Sequence, residues 1–415
     1  MNAVLKAHAP PENVALAQLG EVVDINPRFG KDELTDGMLA SFVPMKCVEE
    51  ESGRFAPLED RKVGNVRKGY TSFRDRDVIF AKVTPCMENG KAAVVSGLTN
   101  GIGFGSTEFF VLRPSGRIEP KYLLHFVVQQ SFRQEAARNM TGAVGLRRVP
   151  KSWLEQQRIP LPSIAAQREI VAEIEKQFTR LDAGVAALRR VQANLKRYRA
   201  AVLKAACEGR LVPTRAKWHR TTLGDVTTVL AGYGFPKRLQ GRPSGDIGFY
   251  KVGDISEAWK RHERILTKAN HYISRSDQAE LRAKLLPPGT VVFAKIGAAI
   301  ALNRRAVIGE PSLVDNNVMG VFAGERIHPR YLFHFLCTQK LDEVARATTV
   351  PSIRKGDVQG IELDLPSLAE QSRIVDEVER RMSVIEELEA AVAANLQRAT
   401  RLRQSVLQKA FAVTT

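Results

Sequence analysis

Two sets of polar residues recur in the two halves of the chain, where short hydrophobic segments end. Lys82 and Lys295 each follow a Phe-Ala dipeptide, and each precedes a segment with Asn and basic residues. Arg and Asn hydrogen-bond bidentately to base edges, and Lys at a strand end suits phosphates. The residues with this chemistry are Lys82, Asn89, Lys91, Arg147, Arg148, Lys295, Asn303, Arg304, Arg305, Asn316, Asn317, Arg354 and Lys355. Each one alone fits a solvated surface charge equally well, and their joint recurrence favours contact with nucleic acid.

Some of these residues can be matched between the halves. We match Arg147–Arg148 with Arg354–Lys355, because the two dipeptides follow the loops TGAVGL and TTVPSI. Small residues in such loops let the backbone approach a partner closely. We match Asn316–Asn317 with Ser106–Thr107. These matches predict one nucleic-acid contact surface in each half.

Two other motifs suggest enzymatic chemistry, but their surroundings exclude it. Residues 26–29, Asn-Pro-Arg-Phe, resemble the Asn-Pro-Pro-Tyr/Phe loop with which amino-methyltransferases hold a flipped adenine. The second proline is missing, and the 25 preceding residues are too few for a methyl-donor site. Residues 101–105, Gly-Ile-Gly-Phe-Gly, precede a strand-like sequence and not the helix of a phosphate loop, so we interpret them as a turn. We therefore expect no catalytic and no metal-binding residues.

The elements that position the polar residues are dominated by one long repeated segment. Leu161 to Arg210 reappears from Leu365 onward at an offset of 204 residues. Apolar residues spaced by three and four predict an amphipathic helix in each copy. Ser367 and Glu370 form a Ser-x-x-Glu capping box at the start of the second copy, and the first copy has only the serine. Forty helical residues span roughly 60 Å, so we expect the helices to pack on each other as a coiled coil rather than on their own domains.

The composition is that of a globular protein with basic domains. The net charge is +17, and Lys and Arg outnumber Asp and Glu by 21 to 18 in residues 1–157, 11 to 5 in 158–213 and 23 to 13 in 214–361, against 7 to 9 in 362–415. A basic balance suits a nucleic-acid binder without proving one. Four isolated cysteines, an N-terminus without a secretory signal and no apolar run of membrane length predict a cytoplasmic protein.

The rest of each half repeats less regularly. Leu-Gly-Glu-Val at 19–22 matches Leu-Gly-Asp-Val at 223–226, and Tyr-Leu-Leu-His-Phe at 122–126 matches Tyr-Leu-Phe-His-Phe at 331–335. We predict strands at 78–82, 92–95, 109–112, 291–295 and 318–322, and helices at about 120–138 and 329–346. His125 and His334 lie within these helices, and we interpret both as packed residues and not as ligands.

These observations predict two α+β domains in tandem. The expected division is residues 1–157, a central long helix in 158–213, a second domain in 214–361 and a C-terminal long helix in 362–415. The connections within the domains change length between the copies, as they do in a scaffold that carries variable binding loops.

Over nearly its whole length the chain resembles the specificity subunit of Type I restriction-modification systems. The resemblance is carried by IPLPSIAAQREIVAEIE and LDLPSLAEQSRIVDEVE at the helix starts, by DVIFAKVTPCMENGKAAVV, and by the loops TGAVGLRRVP and TTVPSIRKGD. It implies two target-recognition domains that contact the halves of a split DNA sequence, held apart by an antiparallel coiled coil. The length of this coiled coil would set the unspecified spacer between the half-sites.

The resemblance also implies partners. Two methylation subunits would bind S-adenosylmethionine, and a restriction subunit, if present, would use ATP and Mg²⁺. We place partner contacts at the starts of the long helices, at Gln167, Ile170, Ile174, Gln371, Ile374 and Val378. Two alternatives stay open: a coiled-coil adaptor that binds no DNA, and the recognition part of a fused methyltransferase-nuclease. Matched Arg and Asn loops argue against the adaptor, and the missing methyl-donor motif argues against the fused enzyme.

Overall fold

The computed structural model describes residues 14–412 except 31–32, 58, 144, 215–216, 261–263 and 346–349. The chain divides into unit 1, residues 1–189 with 393–415, and unit 2, residues 190–392. Each unit contains one globular part and portions of both long helices, so the expected four-part division stays a prediction. Most of the N-terminal segment without a secretory signal, part of both small-residue loops and the expected helix end at Arg346 lie outside the described residues.

Unit 1 contains two four-stranded sheets, with the strand orders β2-β9-β6-β7 and β4-β3-β8-β5, and two two-stranded pairs, β1-β12 and β10-β11. Its strands are β1 (Leu16–Gln18), β2 (Val23–Ile25), β3 (Leu39–Val43), β4 (Glu59–Lys62), β5 (Thr71–Arg74), β6 (Val78–Ala81), β7 (Ala92–Val94), β8 (Ile102–Gly105), β9 (Phe109–Pro114), β10 (Thr141–Ala143), β11 (Leu146–Arg148) and β12 (Arg158–Pro160). Helices up to the first long helix are α1 (Leu19–Val22), α2 (Val63–Val66), α3 (Pro120–Val127), α4 (Gln130–Arg138), α5 (Lys151–Gln156) and α6 (Ile164–Cys207).

Unit 2 contains a five-stranded sheet, β14-β21-β18-β19-β16, a three-stranded sheet, β17-β15-β20, and the pair β13-β22. Its strands are β13 (His219–Thr222), β14 (Thr227–Ala231), β15 (Ile247–Tyr250), β16 (Ile265–Leu266), β17 (Tyr272–Ile273), β18 (Val291–Ala294), β19 (Ala306–Ile308), β20 (Leu313–Val314), β21 (Val318–Ala323) and β22 (Glu362–Leu365). The remaining helices are α7 (Leu223–Val226), α8 (Val252–Lys260), α9 (Arg275–Leu281), α10 (Pro329–Thr338), α11 (Leu341–Val344), α12 (Lys355–Gln359) and α13 (Leu368–Ala410).

One inner strand of the β2-β9-β6-β7 sheet and of the five-stranded sheet, here called the central strand of each unit, is completely apolar. All four residues of β6 and all four of β18 are buried. A strand covered on both faces is an unbroken hydrophobic run rather than an alternating one. The five predicted strands are all present, with ends within two residues of the predicted ones. The α+β class follows from these sheets and helices.

The helices predicted at 120–138 and 329–346 are wrong in one respect, because each is interrupted. In unit 1, Gln129 separates α3 from α4 with an extended backbone, and its buried side-chain amide donates to the Phe126 carbonyl at 3.2 Å. In unit 2, Gln339 adopts an extended backbone between α10 and α11. The apolar spacing of three and four continues through both breaks, so periodicity could not reveal them.

Helices α6 and α13 contain 44 and 43 residues and confirm the two predicted long helices. The Oγ atoms of Ser163 and Ser367 each accept a hydrogen bond from the backbone N–H three residues later, at 3.3 Å. The Glu370 half of the predicted capping box is not confirmed, since its buried Oε1 atom has no partner among the described residues. Serine alone therefore caps both helices.

The long helices pack on each other within each unit. In unit 1, Asp182 of α6 pairs with Arg403 of α13 at 2.8 Å, and Ile174 lies near Val406 and Ala410. The earlier residue of α6, Ile174, thus lies beside the later residues of α13, so the two segments are antiparallel. In unit 2, Arg199 of α6 bonds to Glu389 of α13 at 2.9 Å and lies 3.6 Å from Glu386. Asp182 and Glu386 are separated by 204 residues, as are Arg199 and Arg403, so equivalent residues form the pair in both units.

Candidate nucleic-acid interface

The end of the central strand in each unit is held between two other segments by backbone hydrogen bonds. The Lys82 N–H donates to the Glu108 carbonyl at 2.9 Å, and the Val149 N–H donates to the Lys82 carbonyl at 2.9 Å. In unit 2, the Lys295 N–H donates to the Asn317 carbonyl and the Ile353 N–H donates to the Lys295 carbonyl, both at 2.9 Å. We call this arrangement the lysine edge, formed by residues 82–84, 106–108 and 147–149 in unit 1 and by 295–297, 315–317 and 351–353 in unit 2.

A third bond completes the frame of each lysine edge. The Thr84 N–H donates to the Arg147 carbonyl at 3.0 Å, and the Gly297 N–H donates to the Pro351 carbonyl at 2.8 Å. Isolated bridges then pair residue 83 with 148 and residue 296 with 352. The recurrence of Lys82 and Lys295 in the sequence therefore reflects equivalent positions in the two folds.

The same bonds correct two of the sequence matches. Arg147–Arg148 corresponds to Pro351–Ser352 and not to Arg354–Lys355, which lie three residues further on. Asn316–Asn317 corresponds to Thr107–Glu108 and not to Ser106–Thr107. The matches were wrong because they followed similar side chains, whereas backbone pairing fixes the register.

The turn before the following strand supports the second correction. The Glu108 N–H donates to Ser106 Oγ at 3.2 Å, and the Asn317 N–H donates to Asp315 Oδ1 at 3.0 Å. Ser and Asp side chains commonly accept such a bond two residues on. Ser106 and Asp315 are therefore equivalent, and the residue that follows each by two positions lies beside the lysine.

In unit 1 the lysine edge carries three positive charges and one carboxylate. Arg148 donates twice to Glu108, from Nε at 2.9 Å and from Nη2 at 2.7 Å. These bonds and the nearby Lys82 ammonium lower the pKa of the Glu108 carboxyl below its usual range. The Arg147 side chain is exposed, 3.9 Å from Glu88. The edge thus combines the exposed guanidinium of Arg147, the Lys82 ammonium and a second guanidinium, Arg148, held by a carboxylate.

Two other predicted residues of unit 1 lie on the loop after β6 with different neighbours. Asn89 Nδ2 donates to Glu50 Oε1 at 2.8 Å, and Lys91 Nζ donates to the Met45 carbonyl at 3.4 Å. The structure does not bring these two side chains into the lysine edge, and their role in DNA binding stays a prediction.

In unit 2 the lysine edge carries Lys295, amide and hydroxyl groups, and the buried carboxylate of Asp315. Asn317 Nδ2 lies 3.3 Å from Asp315 Oδ2, and Asn316 is exposed. Exposed Arg354 and Lys355 lie at the start of α12, where the Arg354 N–H donates to Asp357 Oδ2 at 2.8 Å. The equivalent residue of unit 1 is Pro150, which precedes α5.

Arg305 is a predicted DNA-contacting residue that the structure contradicts. Its side chain is buried, with a relative exposure of 1%. Its Nε donates to the Leu336 carbonyl at 3.1 Å, and its Nη2 donates to the Gln339 carbonyl and to Asn303 Oδ1, both at 2.8 Å. Burial lowers the pKa of the guanidinium to about 10. Arg305 satisfies carbonyls at the end of α10, and Asn303 supports it, whereas the neighbouring Arg304 is half-buried.

The six residues expected to bind a partner all lie inside the chain's own packing. Gln167 accepts from the Glu119 N–H at 2.8 Å and donates to the carbonyls of Arg117 and Pro162 at 3.0 and 2.9 Å. Gln371 makes the equivalent bonds to His328, Arg326 and Pro366 at 2.7, 3.1 and 2.8 Å. Both side chains have a relative exposure of 0%. Ile170, Ile174, Ile374 and Val378 are buried as well.

Each glutamine therefore ties the start of a long helix to the loop before α3 or α10. Partner binding by these six residues stays a prediction that their burial does not favour.

The other motifs have structural roles. His125 and His334 are both buried, and burial lowers the pKa of His125 to about 3 and that of His334 below its usual range. Asn26 Oδ1 accepts from the Val111 N–H at 2.9 Å and so fastens β2 to β9. The turn predicted for residues 101–105 is wrong for 102–105, which form β8, and a Cβ on Gly103 there would come within 2.1 Å of a Phe73 ring carbon. Among the described residues no cluster of His, Cys, Asp and Glu could hold a metal ion.

Sequence reasoning missed Glu108 and Ser352, which lie in the lysine edges. Glu108 could have been found, because it lies directly before the hydrophobic strand β9, as Asn317 lies directly before β21. Ser352 gave no signal, since only its bridge to residue 296 places it beside Lys295.

Comparison with known proteins agrees with this architecture. Residues 216–397 match the family model described as the Type I restriction modification DNA specificity domain. A relative from Escherichia coli, the Type I restriction enzyme EcoEI specificity subunit, is 39% identical over 40% of this chain and 28% of its own length. The StySPI specificity subunit of Salmonella potsdam is 26% identical over 72% of this chain and 66% of its own length. The chain thus spans about a quarter of the first relative and just under two thirds of the second.

Solved structures show that the fold is shared. The HsdS subunit from Thermoanaerobacter tengcongensis superposes with a TM-score of 0.62 at 20% identity, covering 97% of both chains. A chain from a study of complex assembly and conformational transition of the type I R-M system has a TM-score of 0.81 at 21% identity, covering 97% of this chain and 98% of its own.

The fold and the two lysine edges define a protein with tandem α+β domains on paired long helices. Residues 216–397 match the specificity domain of Type I restriction-modification systems, and the chain is similar to specificity subunits of these systems. In the part of the chain that the structure describes, no helix has both the length and the apolar character needed to cross a membrane.

Proposed function

We propose that the chain is the DNA-binding specificity subunit of a Type I restriction-modification complex, and that each unit contacts one half of a split DNA target. The observation that carries this proposal is the lysine edge, built twice with the same three backbone hydrogen bonds but with different side chains around the lysine. A constant frame with variable polar residues is suited to one docking mode and two base sequences.

The charges on each edge fit the two tasks of a DNA contact. Lys82 and Lys295 lie at strand ends, where an ammonium can meet a phosphate, and phosphate contacts supply affinity without sequence information. Arg148 in unit 1 and Asn317 in unit 2 have the donors that bind base edges in the major groove. Residues 214–361 contain 23 Lys and Arg against 13 Asp and Glu, and this excess of positive charge adds long-range attraction to DNA.

We assign the chemistry to partner subunits. Methylation subunits would bind S-adenosylmethionine and modify adenine in each half-site, and a restriction subunit would use ATP and Mg²⁺ for cleavage. Two similar half-sites favour two methylation subunits. The chain itself would act without a catalytic residue, by placing its partners on the target, in the cytoplasm where the DNA is.

Single-molecule methylome sequencing tests the proposal. Cells would express this chain with and without the methylation subunit encoded beside it. A split motif with N6-methyladenine in both halves should appear only when both proteins are present. Co-purification of the two proteins without any new methylation would contradict DNA recognition and favour the adaptor that binds protein alone.

A further inference from the structure

The two lysine edges differ in most of their side chains, and two of the differing positions flank the lysine directly. In unit 1 Glu108 and Arg148 flank Lys82, and in unit 2 Asn317 and Ser352 flank Lys295. The lysine and its three frame bonds are the same in both units. Side chains that vary within a fixed backbone frame are the ones able to make two units differ in what they bind.

The pair in unit 1 has the geometry of a fixed guanine reader. The bonds to Glu108 engage Nε and one hydrogen of Nη2, so Nη1 and the second Nη2 hydrogen of Arg148 point away from the carboxylate. Guanine presents its N7 and O6 acceptors side by side in the major groove, and a planar guanidinium matches them bidentately. The Arg148 and Glu108 side chains are 42% and 26% exposed, so a DNA edge could reach them.

The pair in unit 2 has different chemistry. Asn317 and Ser352 are neutral, and both are half-buried beside Lys295. An amide and a hydroxyl cannot present the two parallel donors of a guanidinium. The unit 2 edge should therefore not share the base preference of the unit 1 edge.

We propose that residues 108 and 148, and their equivalents 317 and 352, are specificity-determining positions, and that Arg148 held by Glu108 selects a guanine in the half-site of unit 1. This inference rests on the proposed function. Glu108 acts as a positioning residue, because it fixes the plane of the Arg148 guanidinium.

The test is to transplant the unit 2 residues into unit 1. The double variant Glu108→Asn, Arg148→Ser would be co-expressed with the methylation subunit, and its methylome compared with that of the original chain. At one position of one half-site, the preference of the protein for guanine over the other bases should fall roughly ten- to hundredfold, which is the effect of losing a bidentate base contact. The other half-site should be unchanged, and so should the motif of a control double variant, Glu135→Asn, Arg138→Ser, which removes an exposed ion pair on α4.

A second, more conservative variant keeps the test valid if the double variant does not fold. Arg148→Lys keeps the positive charge beside Glu108 but lacks the planar fork. It should lose discrimination at the same guanine while the other half-site stays methylated. An unchanged motif in this variant would overturn the inference and leave the proposed function intact. Absence of any split motif with the original chain would instead contradict the proposed function itself.

Discussion

Arg304 and Arg305 are neighbours with the same chemistry and different surroundings. Arg305 is buried and binds two carbonyls at the end of α10, whereas Arg304 is half-buried. The local sequence does not distinguish them, because the two carbonyls that Arg305 binds lie more than thirty residues away. Residue types and recurrence could locate Lys82 and Lys295, but only the fold shows which arginine faces outward.

Replacing each arginine in turn should separate the two roles. Arg305→Ala should lower the free energy of unfolding by about 3 kcal/mol, because it removes a charged donor and leaves buried carbonyls without a partner. Arg304→Ala should change it by less than about 0.5 kcal/mol. Urea unfolding of the full chain measures both. Equal effects of the two substitutions would contradict the structural role assigned to Arg305.

At the scale of elements, periodicity predicted both long helices and their packing on each other, but not that in unit 1 one end of each helix also packs into the globular core. It could not predict how they are attached, since Gln167 and Gln371 resemble surface residues at the start of a helix. Their burial results from long-range contacts with the loops before α3 and α10. The breaks at Gln129 and Gln339 were missed as well. The apolar spacing continues through both positions, although the backbone there is extended and not helical.

Removing one glutamine should loosen one attachment. Gln167→Leu loses three hydrogen bonds and leaves the Glu119 N–H and two carbonyls without a partner, so we expect a loss of about 3 kcal/mol in the free energy of unfolding. Gln371→Leu should cost a similar amount, and the loss in the double variant should equal the sum within about 0.5 kcal/mol, because the two glutamines bond to different segments.

Gln192→Leu on the exposed face of α6 is the matched control and should be nearly neutral. Strong coupling between the two glutamine substitutions, measured by a double-mutant cycle, would mean that the attachments are not independent.

The ion pairs of the long helices allow a sharp test of the spacer. Deleting one heptad between Asp182 and Arg199 and another between Glu386 and Arg403 keeps both pairs in place and shortens each helix by about 10 Å. The spacer between the half-sites should change in length, and each half-site sequence should stay as it was. Methylome sequencing with the shortened chain reports both the spacer length and the half-site sequences. Altered half-sites would contradict the proposal that the helices determine only the spacer length.

At the scale of the whole molecule, the sequence predicted tandem duplication because the long helices repeat without a gap. The matches within the globular parts were less accurate, since the loops differ in length. Arg147 was matched with Arg354 by type and is equivalent to Pro351 by hydrogen bonding. Loop length therefore limits how far equivalence can be inferred from one sequence.

Two units that each contact one half-site should respond separately to substitution. Arg147→Ala should weaken recognition of one half-site, and Arg354→Ala should weaken recognition of the other, because the residues belong to different units. A loss of about five- to tenfold at the affected half fits the removal of one Arg contact. Binding assays on duplexes with one half-site scrambled would separate the halves, with Arg138→Ala as a neutral control. Equal loss at both halves would count against separate contacts.

The frame of each lysine edge has a consequence for how such a protein can evolve. Its three bonds use backbone groups only, and at position 351 even a proline serves, because only its carbonyl is needed there. Side chains at 108, 148, 317 and 352 can therefore be exchanged without removing a frame bond. Under the proposed function, a lineage could move to a new DNA target by single substitutions, with a folded protein at every intermediate step. The recognised DNA sequence would then change faster in evolution than the fold of the domain that binds it.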